Sequence, residues 1–210
     1  MTRDKHILLR PAAPDYEEGM AFARYMDQAA DGFFRALLGK NIGPIMATAF
    51  LEPNHSLSYE SVTFAVRDGK LIGMSSAYTG AQLRGFSDEP IERAAGRFNL
   101  RFLCMSVLFS PIMRVLNTVA EADLYLQGLA VDPTLRSSGV GSMLLADLEG
   151  RAQRIGASRL CLDVAARNER AQALYARRGM VECSRWPSIG MMRPVLIRMC
   201  KAVQSAAQAS

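Results

Sequence analysis

The stretch from Leu124 to Val164 constrains the fold of this chain most tightly. "DLYLQGLAV", Asp123 to Val131, reads as a strand, Gly139 to about Ile155 as a helix, and "SRLCLDV" as a second strand. A strand–helix–strand passage within one sheet is a crossover, and such crossovers are right-handed. The chain therefore builds a sheet with at least one helix packed on a face, and the remaining segments must add to that unit.

They do so in a readable order. "HILLR", His6 to Arg10, is a short strand. "PDYEEGMAFARYMDQA" follows as a helix, with Pro14 suited to its first turn, Asp15, Glu17 and Glu18 to its positive end, and Phe22, Tyr25 and Met26 forming an apolar stripe. "DGFFRALLGK" and "GPIMATAFL" read as further short helices. "SVTFAVRDGKLIGMSSAY", Ser61 to Tyr78, is a hairpin turning at Asp68-Gly69. Gln82 to Ala122 is mostly helical in pattern, with Ser87 as a candidate N-cap. After the crossover, Asn168 to Arg178 is a helix closed by Gly179. "MVECSRW" and "PVLIRMCKAV" end the sheet, and "QSAAQAS" reads as a frayed, flexible tail. The expected fold class is α/β: a mixed sheet with helices on both faces, in one domain over residues 1–200, with a helical insertion at about 82–120 and a tail at 201–210.

Composition excludes several function classes. Apolar residues make up 50% of the chain and charged residues 21%, so a core can form and disorder is disfavoured. The net charge of +5 comes from Arg spread along the chain, without a basic tail. That pattern suits an anionic ligand better than nucleic acid. Cys104, Cys161, Cys183 and Cys200 form no C-x-x-C pair, and with only His6 and His55 no zinc spacing exists, so no metal is expected. The N-terminus lacks the apolar region of a signal peptide. The apolar run Leu100 to Leu116 is interrupted by Arg101, Pro111 and Arg114 and falls short of a membrane span. The expectation is a cytoplasmic protein with reduced thiols and no membrane partner.

The chemistry concentrates between Val131 and Gly150, in "VDPTLRSSGVGSMLLADLEG". A helix start presents unpaired N–H groups and partial positive charge, which suits phosphate. Gly139 and Gly141 let an anion approach the backbone, Ser138 and Ser142 offer hydroxyls, and Arg136 offers a bidentate charge. The plainer reading is a Ser-capped helix start with Gly for close packing. Two phosphate-binding patterns compete. The dinucleotide fingerprint G-x-G-x-x-G fails because its third glycine is Leu144 and "DPTLRSS" intervenes after the strand, although Asp163 does end the next strand. A Walker loop is excluded, since no Gly-Lys-Ser/Thr exists. The pattern Arg/Gln-x-x-Gly-x-Gly/Ala after "LAV-D-P" is complete.

With that loop the chain resembles the GNAT superfamily of acyl-CoA-dependent N-acyltransferases. "LDVAARNERAQALYARRGM" resembles the family's second cofactor motif, with Asn168, Ala171, Leu174, Tyr175 and Gly179 in place. The match is best over Asp123 to Met180 and elsewhere follows element order. The resemblance implies a GNAT-like, mostly antiparallel mixed sheet of about seven strands. It implies acetyl-CoA, or another acyl-CoA, as co-substrate. The pyrophosphate would rest on the loop of Arg136, Ser137, Ser138, Gly139, Val140, Gly141 and Ser142. Backbone groups of Leu129, Ala130 and Val131 would meet the pantetheine arm, and Asn168 and Ala171 would flank it. Tyr175 would act as general acid toward the departing thiolate, in place of a plain core aromatic. Gly128, inside a strand, points to a bulge or a close approach.

The amine must lose a proton before it attacks the thioester carbonyl. No base stands out; Glu121, Asp123, Tyr125 and Gln127 are the candidates, the last only as a water-orienting group. A ping-pong route through Cys161 lacks an accompanying His. Acceptor choice is expected from Phe33 to Leu51, from Gln82 to Val119 with its Phe98, Phe102, Met105, Phe109 and Met113, and from "RWPSIGMMR", where Arg185 and Arg193 are candidates for an acidic acceptor group. A small-molecule or peptide amine, and a monomer or homodimer, stay open. The alternatives are a CoA-binding GNAT-like sensor without chemistry and a dinucleotide-dependent oxidoreductase.

Overall fold

The computed structural model describes residues 6–96, 104, 107, 108, 110, 118–187 and 194–203. Phe98, Phe102, Met105, Phe109, Met113, Arg193 and the 204–210 tail lie outside the described residues.

Seven strands form one sheet: β1 (Leu8–Pro11), β2 (Val62–Arg67), β3 (Lys70–Thr79), β4 (Leu124–Val131), β5 (Arg159–Ala165), β6 (Val181–Trp186) and β7 (Leu196–Ala202). Their order is β1-β2-β3-β4-β5-β7-β6. Only β4 and β5, the crossover strands, run parallel; the other pairs are antiparallel. This is the mixed, mostly antiparallel sheet expected. The described helices are α1 (Tyr16–Ala29), α2 (Phe33–Leu38), α3 (Ile42–Phe50), α4 (Gly80–Gly85), α5 (Glu89–Ala95), α6 (Val140–Arg154) and α7 (Glu169–Arg177). None of them is long and apolar enough to cross a membrane.

Local chemistry sets the boundaries. α1 begins one residue after Asp15, whose carboxylate accepts from the Glu18 amide, so Pro14 lies outside the helix and not in its first turn. Ser87 is not the N-cap of α5; Asp88 is, while the Ser87 hydroxyl accepts from the Glu89 amide. The last strand runs to Ala202, past residue 200. Two layers of helices cover the sheet. Phe22, Tyr25 and Met26 of α1 pack with Met46 and Phe50 of α3 against Phe64 and Met74 on one face. Leu145 and Leu148 of α6 pack with Tyr175 of α7 against Leu124, Leu126, Leu160 and Leu162 on the other.

β4 carries a bulge. Ser76 pairs with Gly128 and Ala77 with Leu126, so Gln127 is an extra residue in the ladder. The bulge changes the phase of the alternation. Leu124 and Leu126 face α6 before it, and Leu129 and Val131 still face α6 after it, packing near Val140 and Leu144. Gly128 is required by α1: a Cβ there would lie 2.8 Å from Met26 Sδ and 3.4 Å from Ala29 Cβ.

Beyond the bulge the sheet opens. β4 pairs with β5 only through Leu124, Tyr125 and Leu126, which meet Leu160, Cys161 and Leu162. From Gln127 onward β4 stays with β3, while β5 stays with β7 as far as Ala165. A wedge separates them. The Asp132 amide bonds the Ile72 carbonyl at 2.9 Å. By the alternation of an antiparallel ladder, Ala130 also turns its N–H and C=O to β3, and Leu129 and Val131 turn theirs into the wedge.

Because Met26 is buried, Gly128→Ala is expected to cost about 1–3 kcal/mol by overpacking. The cost should shrink in a Met26→Ala background, a coupling that a double-mutant cycle in denaturant measures; additive effects would contradict the contact.

Candidate functional site

A cavity of about 1860 Å³ occupies the wedge. Pockets for ordinary small molecules run to roughly 300–1,000 Å³, so this one has room for a larger ligand. Its walls are Leu126 to Val131 of β4, Leu162 to Ala165 of β5, the loop before α6 and the inner side of α7.

The loop is shaped by its backbone. Asp132 accepts from the Thr134 amide at 2.9 Å and closes a turn over Pro133–Leu135. Ser137 at φ +67° and Gly139 at φ +91° then twist the chain into the start of α6. Glycine meets the second of these turns without the strain a side chain would add. No side chain caps α6. Its first-turn amides, including those of Val140, Gly141 and Ser142, therefore stay available at the helix's positive end. Ser138 does not join them as a hydroxyl donor, because its Oγ donates to the Leu135 carbonyl at 2.6 Å. Ser138 and the buried Val140 do not line the cavity; Arg136, Ser137, Gly139, Gly141 and Ser142 do. Arg136 is exposed and forms no salt bridge among the described residues.

Leu129, Ala130 and Val131 line the wedge, but their backbones differ in use. Ala130 is committed to β3. The Val131 carbonyl accepts from Gln28 Nε2 at 3.0 Å, which leaves the Val131 amide and both Leu129 groups facing the cavity. Gln28 carries no signal in the sequence, since it reaches this strand from α1. Arg170, equally silent there, donates to Ser137 Oγ at 2.9 Å and joins α7 to the loop.

Asn168 caps α7 by accepting from the Ala171 amide at 3.1 Å. Ala171, Leu174 and Tyr175 line the cavity beyond it. Tyr175 is 8% exposed, and its hydroxyl has no hydrogen-bond partner among the described residues. Burial pushes its pKa up to about 12, so it stays a neutral phenol at any ordinary pH.

The carboxylates expected as bases are elsewhere. Glu121 pairs with Arg84 at 2.8 Å on the surface, and Asp123 is buried under Arg159 at 2.7 Å; neither lines the cavity. Tyr125 and Gln127 do line it, with Tyr125 donating to Asp163 Oδ2 at 3.0 Å and Gln127 Oε1 accepting from Ser76 at 3.1 Å. Asp163 is itself held by Arg198 through contacts of 3.0 and 2.7 Å. Among the described residues no group of His, Cys, Asp and Glu could hold a metal.

The far end of the cavity mixes apolar side chains, Phe33, Phe34 and Leu37 of α2, Leu83 of α4, Phe86 and Ile91, with the charged Arg84, Asp88 and Glu92. α3 does not contribute: Ile45, Met46 and Phe50 are taken up by the core. Arg185 is exposed, bonds Glu182 at 2.7 Å and lies outside the cavity. Arg167 and Asp31, on opposite lips, meet at 2.6 Å.

The chain matches the model of the acetyltransferase (GNAT) family over residues 25–180. No curated protein matches it significantly in sequence. Among solved structures, an acetyltransferase is 22% identical, with a TM-score of 0.67 over 94% of this chain and 100% of its own. An N-acetyltransferase from Staphylococcus aureus Mu50 is 14% identical, with a TM-score of 0.63 over 92% and 100%. The ribosomal-protein-S18-alanine N-acetyltransferase from Escherichia coli is 15% identical, with a TM-score of 0.52 over 98% and 99%. At these identities the likeness is one of fold.

The two ion pairs at the cavity should differ sharply in worth. The Asp163 side chain is 3% exposed, so Arg198→Met strands a buried charge and should cost about 3–5 kcal/mol in denaturant unfolding. Arg167→Met removes an exposed pair and should cost less than about 1 kcal/mol. Equal losses would contradict this assignment of burial.

Proposed function

The chain belongs to the acetyltransferase (GNAT) family, and from that premise we propose that it moves an acetyl group from acetyl-CoA to a primary amine of a small molecule or peptide. The single observation behind the finer reading is the wedge. One end offers uncapped helix amides and Arg136, and its middle offers the strand-like backbone of Leu129 and Val131. The buried phenol of Tyr175, without a partner among the described residues, faces the same space. A long ligand with an anionic head, an amide-bearing arm and a reactive sulfur fits that sequence of groups.

A bound acyl thioester supplies an electrophilic carbonyl and a thiolate leaving group. The protein's part is to bind and to stabilise charge. The α6 amides and Arg136 take the pyrophosphate. The Leu129 carbonyl and the Val131 amide take the pantetheine amides, with Gln28 fixing the Val131 carbonyl. Asn168 and Ala171 flank the arm. The Leu129 amide, next to the bulge, is suited to the oxygen that gains charge when the amine attacks. Tyr175 faces the departing sulfur. Its pKa of about 12 lies above the roughly 8.5 of a free thiol, so it serves best as a hydrogen-bond donor to the sulfur as the C–S bond breaks. Glu121 and Asp123 are engaged outside the cavity and do not serve as the base; the amine arrives neutral or loses its proton through water oriented by Gln127. A cytoplasmic location goes with this reading.

Calorimetry should give binding of CoA and none of NAD, and free-thiol release over a panel of primary amines should identify the acceptor. Tyr175→Phe should lower kcat on the order of 10²- to 10³-fold at nearly constant KM for acetyl-CoA, as for loss of a donor to developing charge. An unchanged kcat would remove Tyr175 from the reaction. Its high pKa further predicts that an alkaline limb of the rate profile below about pH 10 persists in Tyr175→Phe.

A further inference from the structure

Among the described residues Tyr25, Tyr78, Tyr125 and Tyr175 are buried. A buried phenol hydroxyl ordinarily finds a partner. Tyr25 donates to the Leu71 carbonyl at 2.9 Å and Tyr125 to Asp163 at 3.0 Å. The hydroxyls of Tyr78 and Tyr175 have none among the described residues, and both residues line the wedge cavity. They approach it from opposite faces of the sheet. Tyr175 packs with Leu126 and Leu162 on the α6 face, and Tyr78 packs with Tyr125, Cys161 and Cys200 on the other.

Tyr78 is held firmly in place. It stands opposite Tyr125 in the β3–β4 ladder, near the bulge and beside the apex where β4 and β5 part. Its ring sits between Phe86 at 5.2 Å, edge to face, and Tyr125 at 5.7 Å. Tyr125 is fixed on Asp163, and Asp163 on Arg198, which also donates to the carbonyl and hydroxyl of Thr118. A ring needed only for packing would serve equally without its hydroxyl. The Tyr78 hydroxyl is not sealed in the core, and the residue retains 5% exposure where it borders the cavity. Burial and the nearby Asp163 charge both hold the Tyr78 hydroxyl in its neutral form.

We propose that Tyr78 is a substrate contact on the acceptor side, its hydroxyl hydrogen-bonding the incoming amine across the wedge from Tyr175. The inference rests on the acyl-transfer reading. The thioester carbonyl then lies between two phenols, one donating to the departing sulfur and one accepting from an N–H of the attacking nitrogen. Tyr78 takes no proton; it orients the nitrogen lone pair toward the carbonyl.

The test compares wild type and Tyr78→Phe, each with acetyl-CoA and the amine panel, alongside CoA calorimetry and thermal unfolding. We expect kcat/KM for the amine to fall at least about tenfold, a loss typical of one hydrogen bond to a reacting group. KM for acetyl-CoA should stay within about twofold and Tm should be nearly unchanged, since the hydroxyl opens to the cavity and has no partner among the described residues. An amine kcat/KM within about twofold of wild type overturns the proposal. So does a loss accompanied by a lower Tm and a raised acetyl-CoA KM, which marks a packing role. Wild-type protein that binds no CoA, or binds it and turns over no amine, overturns the acyl-transfer reading itself and this inference with it.

Discussion

Past Leu126, β4 has a hydrogen-bonding partner strand on one side only. In the middle of a seven-stranded sheet that is a costly arrangement, because backbone N–H and C=O groups are left facing a cavity. The rest of the molecule is organised around that opening. β5 follows β7 away from it, α6 begins at its mouth without a cap, and α7 lays Ala171, Leu174 and Tyr175 along its side. The bulge at Gln127 lets β4 change its edge without losing its apolar face, since Leu129 and Val131 remain under α6.

Polar groups at the apex are otherwise matched with one another. Asp163 is saturated by Arg198 and Tyr125, Gln127 is bonded by Ser76, and Asp123 by Arg159. Each of these carboxylates and amides fastens one strand to another. Around the opening, backbone groups, the guanidinium of Arg136 and the hydroxyls of Tyr78 and Tyr175 have no partner among the described residues, and Asp88, Glu92 and Arg177 line the cavity without an ion pair. Such groups suit a ligand that carries phosphate and amides, as proposed above.

Much of this is legible in the residues. The crossover, the hairpin at Asp68-Gly69, the helix that starts at Asn168 and the loop from Arg136 to Ser142 are local features, and local propensity fixes them. The bulge is also signalled: apolar positions run Leu124, Leu126, then Leu129, Val131, an alternation that slips by one at Gln127-Gly128. The reason for Gly128 is not legible, because Met26 lies far earlier in the chain and meets it only once folded. Gln28, Arg170 and Tyr78 escape sequence reasoning on the same ground. Glu121 and Asp123 stand at the right place for a base, but strand position does not reveal a distant guanidinium; Arg84 and Arg159 occupy them.

An acyl-CoA bound as proposed lies on both the open edge of β4 and the uncapped start of α6. Amide hydrogen exchange resolved by residue, with and without CoA, addresses it directly. Added protection is expected at the amides of Leu129, Val131 and residues 139–142, with no change at Ala130, whose amide already faces β3. Protection absent from those amides in a CoA-saturated sample, or confined to another part of the molecule, would contradict it.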